Sequence, residues 1–434
     1  MKQDTVMVIG AGIPGIQAAT DLANMGFTVY LIEKSPSIGG VMAQLDKTFP
    51  TNDCAICILA PKMIECYQHP NVMTFTYSEV IDCDGDIGDF KVQVRKKPRY
   101  VDIEKCTGCG ECFEKCPAKV PSEFDMALGK RRAIYMPFMQ AVPLVATIDE
   151  KHCLKLIKDK CGNCQKVCRA EAIDFDQKEE VIELNVGAII VSVGFDFYSI
   201  GQISEYGYGL NENVITAMEL ERMLYASGPT NGHIQRPSDG KAPSRLAFIQ
   251  CTGSRDLRHV PYCSSVCCMH STKEAILANE HNPDLKSCVF YIDIRAAGKG
   301  FQDYVHRAEK DYNVTFIKGK VGSIAQNKEN KNPILQYEDT REGEIKTMET
   351  DLVVLASALI PSSSIFSLSK TLGFKIDEHG FVVTPDSFIS PVDTTVPGIF
   401  ACGFVREPKD IPESVTQASG AAARVVEVLS EGGN

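Results

Sequence analysis

The chain has 434 residues, 44% hydrophobic and 23% charged, with no Trp and a formal net charge of −11. That length supports two or three domains with their own cores. The acidic balance speaks against a nucleic-acid partner and offers no polybasic patch for a membrane surface.

The 18 cysteines suit either secreted disulfides or intracellular metal binding. Met1–Thr5 leads into an apolar run of only Val6–Ile9, too short for a signal h-region. No stretch reaches the roughly 18 apolar residues of a transmembrane helix. The cysteines are therefore expected to be cluster ligands in a reducing, anaerobic cytoplasm.

In chain order, Val6–Ile9 is predicted as a strand, Ile16–Met25 as a helix and Phe27–Ile32 as a second strand ending at Glu33. Between the first two lies Gly10-Ala11-Gly12-Ile13-Pro14-Gly15. G-x-G-x-x-G in a strand–turn–helix–strand unit is a dinucleotide fingerprint. Gly10, Gly12 and Gly15 let the backbone approach a pyrophosphate at the helix N-terminus. Glu33, with Lys34 beside it, lies where an acidic residue bonds a ribose hydroxyl. Ser37-Ile38-Gly39-Gly40 follows. A Gly39-Gly40 pair here resembles the FAD-binding members of the two-dinucleotide-domain flavoproteins, where it passes near the ribityl chain, and so implies FAD rather than NAD.

Cys54 and Cys57 form a C-x2-C with three open readings: a redox dithiol beside the flavin, cluster or partner-interface ligands, or small core residues. Cys66 and Cys83 are isolated and read as core. Phe90–Arg95 alternates like an edge strand. Then comes Cys106-x2-Cys109-x2-Cys112-x3-Cys116-Pro117, the ferredoxin-type run for a 4Fe–4S cluster. Because the fourth Cys of such a run ligates the other cluster, a second run is predicted downstream. It is found at Cys153, Cys161, Cys164 and Cys168. One cluster is assigned to Cys106, Cys109, Cys112 and Cys168, the other to Cys153, Cys161, Cys164 and Cys116. Lys130-Arg131-Arg132 between the runs reads as a solvated face, with screening of cluster charge or an acidic partner as the alternative.

Val181–Val193 returns to sheet and closes on Gly194. Ala217–Tyr225 reads as a helix and Gly228–Lys241 as a surface loop. Arg245–Gln250 is a buried strand opening a second Rossmann-like half. Here Cys251-Thr252-Gly253-Ser254 stands where a glycine fingerprint is expected, so the phosphate cradle is damaged. Cys251, Cys263, Cys267 and Cys268 form a C-x11-C-x3-C-C set that suits a third cluster. Ser271–Asn279 is predicted as a helix with Lys273 on its first turn. Val289–Ile294 and Val314–Ile317 read as strands flanking a helix at Phe301–Asp311. Leu352–Ala356 is read as the strand that returns the chain to the flavin domain. Val396–Gly403 resembles the G-I-[FY]-A-x-G-D segment of the same flavoproteins, with Phe404 in place of the Asp. Ser414–Ser430 reads as a last helix whose N-terminus favours an anionic flavin.

The combination of G-x-G-x-x-G with Glu33, F-P-T-N-D-C-x2-C from Phe49, the nested two-cluster ferredoxin, C-x11-C-x3-C-C, and D-I-P-E-S from Asp410 resembles the A-type iron–sulfur flavoprotein of heterodisulfide reductase over nearly the whole chain. The resemblance implies an α/β, two-dinucleotide-domain, thioredoxin-reductase-like flavoprotein with an inserted α+β two-cluster ferredoxin domain. It is a short form, with no further cluster module expected before Val6 or after Asn434. The expected domains are 1–99 and 176–240 (FAD), 100–175 (ferredoxin), 241–350 (second Rossmann-like half) and 351–434 (return to FAD). FAD contacts are expected at Gly10, Gly12, Gly15, Glu33, Lys34, Gly39, Gly40, Gly194, Gly403 and Ser414.

The resemblance further implies a cluster on Cys251, Cys263, Cys267 and Cys268 close to the flavin, and an FAD that splits electron pairs. Lys273 is the expected tuning group at flavin N5. Expected partners are B- and C-like subunits, a hydrogenase, formate or NADH-linked donor module, and ferredoxin, around a homodimer. An NAD(P)H-dependent flavin disulfide reductase using Cys54 and Cys57, and a non-bifurcating electron hub, are the alternatives.

Overall fold

The computed structural model describes residues 4–430, so the expected outer limits 1 and 434 lie outside it. The chain forms two compact units. The first holds the residues up to Ala43, Ile56–Phe195, and the residues from Pro361 onward; the second holds Gln44–Ala55 and Asp196–Ile360.

In the first unit, five parallel strands lie in the order Ile399–Ala401, Ala188–Val191, Thr5–Ile9, Thr28–Glu33, Val72–Thr76. Their near-continuous apolar runs mark a sheet covered on both faces. Val6, Met7, Val8, Ile189 and Ile190 are fully buried. Helix Ile13–Asn24 begins three residues before its predicted start, with Pro14 in its first turn, where no backbone N–H is lost to the helix. Its small buried face of Ala18, Ala19 and Ala23 sits against helix Ile411–Ser430, whose Ala418, Ala421 and Ala422 are also buried, and the Ser419 hydroxyl donates to Asp21 at 2.6 Å.

Phe90–Arg95 proves to be central rather than an edge. Strand Asp89–Lys96 pairs antiparallel with Ser78–Asp86 on one side and with Glu180–Val186 on the other. The second partner arrives only after the whole ferredoxin insertion, which a local alternation pattern does not register. Between these strands, the insertion closes on itself. Val101 bridges Ile173, the Asp102 N–H donates to the Ala172 carbonyl at 2.7 Å, and the Asp174 N–H to the Tyr100 carbonyl at 3.1 Å. Val101, Ile134, Ile148 and Ile173 make its core, with Cys153 and Cys164 buried among them.

Lys130-Arg131-Arg132 is not simply a solvated face. It is a strand paired with Lys119–Pro121. Arg131 is largely buried over the Tyr135 ring and donates to both Glu123 and Asp149. Its charge is neutralised within the insertion.

The second unit carries a seven-stranded sheet in the order Val214–Thr216, Leu352–Ser357, Arg245–Thr252, Lys286–Tyr291, Val314–Gln326, Pro333–Asp339, Glu344–Glu349. The first five are parallel and the last two continue as an antiparallel meander. Leu352–Ser357 therefore lies beside Arg245–Thr252 and does not return the chain to the first unit, which it re-enters at Pro361. The stretch from Asp196 to 240, expected with the FAD domain, also belongs to the second unit. The predicted strand Val289–Ile294 lies three residues earlier, at Lys286–Tyr291. Helix Cys267–His281 begins four residues before the predicted Ser271, putting Cys267 and Cys268 in its first turn and Lys273 in its second.

Phe90 is 2% exposed and packs with Val92, Val94, Ile365 and Leu368. Phe90→Ala should cost about 3–5 kcal/mol through lost burial and the cavity left behind. Urea denaturation of the first unit, followed by flavin release, measures it.

Candidate flavin and cluster sites

The turn after strand Thr5–Ile9 is set by close backbone approach. Gly10 has φ +97°, and a Cβ there would lie 2.6 Å from the Ser192 carbonyl oxygen; a Cβ on Gly15 would drive into the Gly10 carbonyl. Only glycine fits either position. The turn is braced by Glu33, which is 8% exposed. Its carboxylate accepts from the Ala11 N–H at 2.8 Å and from the Ser35 N–H and hydroxyl at 2.8 and 2.6 Å. Oε2 keeps a lone pair for a further donor, as a ribose hydroxyl supplies.

Gly39 and Gly40 fold back on this turn. The Gly39 N–H donates to the Ala11 carbonyl at 2.8 Å, and a Cβ on Gly40 would lie 2.9 Å from the Gly12 Cα. Gly403 reaches it from the far end of the chain, where a Cβ would meet the Pro14 ring at 2.8 Å and the Ser414 hydroxyl at 3.9 Å. The Gly403 N–H donates to the Gln417 side chain at 2.8 Å. Gly194 accepts from the Ser362 N–H at 3.2 Å, and Lys34 is exposed. Phe404, in place of the expected Asp, is buried against Phe195 with ring centres 4.9 Å apart. The backbone cradle thus fits a pyrophosphate-bearing cofactor and lacks that one carboxylate.

In the insertion, one small cavity is lined by Cys116, Cys153, Cys161 and Cys164 together, the crossed set expected from the spacing. Cys112 lies near Cys106 and Cys109, and Cys106, Cys112 and Cys168 pack on the same core. Burial pushes the Cys112 thiol up to about 12 and Cys164 to about 11. A bare thiolate is disfavoured there, and a soft cation that takes thiolate as ligand removes the penalty. The donor set fits iron–sulfur clusters.

The second unit gathers Cys251, Cys263, Cys267 and Cys268. Burial, then Cys268, raises the Cys251 thiol to about 11, with Cys263 also contributing; Cys267 and Cys268 share a hydrogen bond. Arg255 lies beside Cys251 and is held by Asp293. These four cysteines fit a third cluster by the same donor chemistry. Cys66 is fully buried, as expected of core, whereas Cys83 is only half-buried; Cys54 and Cys57 are both disulfide-bonded.

Lys273 is not a surface lysine. It is 1% exposed, its ammonium contacts the Glu221 carboxylate, and it donates to the Lys47 carbonyl at 3.1 Å. Burial lowers it to about 8, against the pull of Glu274 and Asp46. His270 Nε2 stands 3.1 Å from Glu221 and 3.2 Å from Glu274. Glu221 also accepts from the Asp46 N–H at 2.9 Å, and Arg222 donates to the Gln44 carbonyl at 2.8 Å. Glu221 and Glu274 belong to no motif and are not among the expected site residues. The one signal for them in the sequence is Glu221 set among Leu220, Met223 and Leu224 on a short amphipathic helix.

Three family profiles match the chain: FAD dependent oxidoreductase at residues 5–54, 4Fe-4S binding domain at 99–122, and pyridine nucleotide-disulphide oxidoreductase at 290–422. The chain is 52% identical over 430 residues to an A-type iron-sulfur component of CoB–CoM heterodisulfide reductase from Methanopyrus kandleri, covering 99% of this chain and 65% of that protein. It is 47% identical over 430 residues to the A component of the H(2):CoB-CoM heterodisulfide,ferredoxin reductase of Methanothermobacter marburgensis, covering 99% of this chain and 64% of that one. The chain thus spans about two-thirds of the length of these relatives, a little less in each case. Thioredoxin reductase of T. acidophilum shares the fold at 16% identity, with a TM-score of 0.54 over 98% of both chains. No helix among the described residues is long and apolar enough to cross a membrane.

Gly15→Ala should lower the FAD-to-protein ratio several-fold by forcing the turn apart, while the iron bound by the ferredoxin insertion is retained. Flavin and iron assays on the purified chain read both.

Proposed function

On the premise that this chain belongs with the A-type iron–sulfur flavoproteins of heterodisulfide reductase, we propose that it is the electron-transfer component of a heterodisulfide-reductase-like complex. In that role it divides electron pairs from a partner donor into single-electron branches. The observation that carries this reading is the exchange between its two Rossmann-like halves. The first keeps a backbone cradle for a dinucleotide, and the second puts Cys251 where a glycine turn belongs.

FAD and 4Fe–4S clusters supply the conversion between two-electron and one-electron transfer. The residues assigned to hold FAD are Gly10, Gly12, Gly15, Glu33, Lys34, Gly39, Gly40, Gly194, Gly403 and Ser414. Gly10, Gly12 and Gly15 would keep side chains away from a pyrophosphate, and Glu33 would hold a ribose hydroxyl. Two clusters are assigned to Cys106, Cys109, Cys112, Cys168 and to Cys153, Cys161, Cys164, Cys116. A third is assigned to Cys251, Cys263, Cys267 and Cys268. The cysteines of the insertion are nested within the flavin unit and provide an outlet toward B- and C-like subunits or ferredoxin. A hydrogenase, formate or NADH-linked module is the proposed donor, in a cytoplasmic hetero-oligomer built on a homodimer.

Lys273 is assigned the tuning of the flavin. Its ammonium is 1% exposed and held by Glu221 and the Lys47 carbonyl, so the direct contact with flavin N5 expected from the sequence is not available, and it would act on the flavin only through its charge. The disulfide-bonded state of Cys54 and Cys57 favours a second reading, a flavin disulfide reductase driven by a nicotinamide nucleotide. Rapid bleaching of the FAD-loaded chain by NADH or NADPH would select it.

Cys112→Ser should alter the electron paramagnetic resonance signal of one cluster and leave FAD bound; loss of FAD as well would overturn the nested arrangement. Lys273→Ala leaves Glu221 buried without its cation and should destabilise the second unit by about 3–5 kcal/mol; in molecules of the variant that retain FAD and iron, the one-electron potentials of the flavin should shift in a spectroelectrochemical titration. Unaltered potentials would remove Lys273 from the assignment.

A further inference from the structure

Arg99 is a buried cation without an acidic partner. It stands at the entrance to the ferredoxin insertion and is 4% exposed. Its guanidinium donates to the Thr147 hydroxyl at 2.8 Å, and to the Pro36 carbonyl and the Thr76 hydroxyl at 2.5 Å each. All three acceptors are neutral. Nε is buried and makes no hydrogen bond, and Arg99 forms no ion pair among the described residues. Glu123 and Asp149, acidic side chains of the same insertion, are both taken by Arg131.

A guanidinium taken out of water calls for an anion, because its lost hydration is not repaid by neutral acceptors alone. The titratable groups that act on Arg99 most strongly are Tyr77, Tyr135, Tyr67 and Cys106. The Tyr77 ring lies 5.9 Å from the guanidinium carbon. Burial pushes the Tyr77 hydroxyl up to about 12 and raises Tyr135 as well, so neither supplies a negative charge at neutral pH. Cys106 differs from them, because a thiolate that ligates iron is anionic. It packs on the same core as Cys112 and Cys168, its partners in the cluster assignment.

A 4Fe–4S cluster on four thiolates is already an anion, and each electron it accepts adds one negative charge. Its potential follows the charges and dipoles around it. A fixed cation in a low-dielectric interior favours the more negative state, and salt screens it little.

We propose that Arg99 is the fixed counter-charge of the cluster held by Cys106, Cys109, Cys112 and Cys168, and that its charge raises the reduction potential of that cluster. The proposal rests on the assignment of a cluster to those four cysteines. Arg99 is a positioning residue in this role, acting through its field and through no contact with the reacting atoms. It also ties Pro36, at the head of the Ser37–Gly40 turn, to Thr147 of the insertion. The test must therefore separate charge from clamp.

That test is an anaerobic dithionite titration of the full chain loaded with FAD and iron, read by electron paramagnetic resonance. The cluster in question is identified as the signal altered by Cys112→Ser. Arg99→Gln should move its potential to a more negative value and leave the cluster on Cys116, Cys153, Cys161 and Cys164 nearly in place. Arg99→Lys, which keeps the charge, should stay close to the wild type, and the differences should persist at high salt. Thr76→Asp sets a carboxylate against the guanidinium without removing it, and should lower the same potential with FAD and iron contents unchanged. Should Arg99→Gln lose its cofactors, Thr76→Asp decides the matter. An unmoved potential in Thr76→Asp, an equal shift of both clusters, or equal displacement in Arg99→Lys and Arg99→Gln would each overturn the proposal while the cluster assignment stands. A Cys112→Ser spectrum identical to the wild type would remove the assignment and the proposal with it.

Discussion

Helices Ala217–Leu224 and Cys267–His281 meet through charges almost wholly removed from water. Taking Glu221 and Lys273 out of solvent costs several kcal/mol for each ion, and their attraction repays this only where the remaining donors and acceptors are met. The second unit meets part of this with backbone: the Asp46 N–H for Glu221, the Lys47 carbonyl for Lys273, and the Gln44 carbonyl for the neighbouring Arg222, while both oxygens of the buried Glu274 carboxylate have no hydrogen-bond partner among the described residues. Gln44–Ala55, an excursion from the middle of the first unit's sequence, is thereby fastened to the second. Tyr304 completes the hold on Asn52 at 2.5 Å, and Phe301 meets Phe49 edge-to-face. The F-P-T-N-D-C stretch, anonymous as a pattern, is explained as the part that docks there.

The two sheets place different residue types at the end of a corresponding parallel strand. Each has a parallel strand that ends in a tight turn at its carboxyl end. In one, glycine permits a backbone approach that any side chain would block. In the other, Cys251 has a left-handed φ of +57° and brings a thiol to the same relative position. Backbone amides suit a phosphate and thiolates suit iron; Cys251-Thr252-Gly253-Ser254, with Cys263, Cys267 and Cys268, stands where the first half has Gly10 to Gly15.

Much of this is legible in the sequence because its signals are local. The glycine turn, the two ferredoxin runs and the last helix are each written in consecutive residues at fixed spacing. The illegible parts depend on partners remote in the chain. Phe90–Arg95 reads as an edge because the strand covering its other side begins at Glu180. Leu352–Ala356 reads as a return to the flavin domain because a buried apolar strand does not state which sheet receives it. Lys273 is displaced by one helical turn from its expected place because the helix starts on Cys267 and Cys268, residues with weak helix preference and no capping side chain before them. The Lys130–Arg132 run looks solvated because Glu123 and Asp149, which neutralise Arg131, flank it at a distance.

The discontinuity of the first unit bears on how the protein is made. Its parallel sheet is completed by Ile399–Ala401, and helix Ile13–Asn24 is covered by Ile411–Ser430. The residues through Ser430 must therefore be made before the flavin cradle can close. The ferredoxin insertion is continuous from Val101 to Phe175 and has its own core. Domains generally fold as units in the order of synthesis. Iron is then expected to be acquired before flavin, so that a cell short of flavin would accumulate iron-loaded chains with an open flavin cradle.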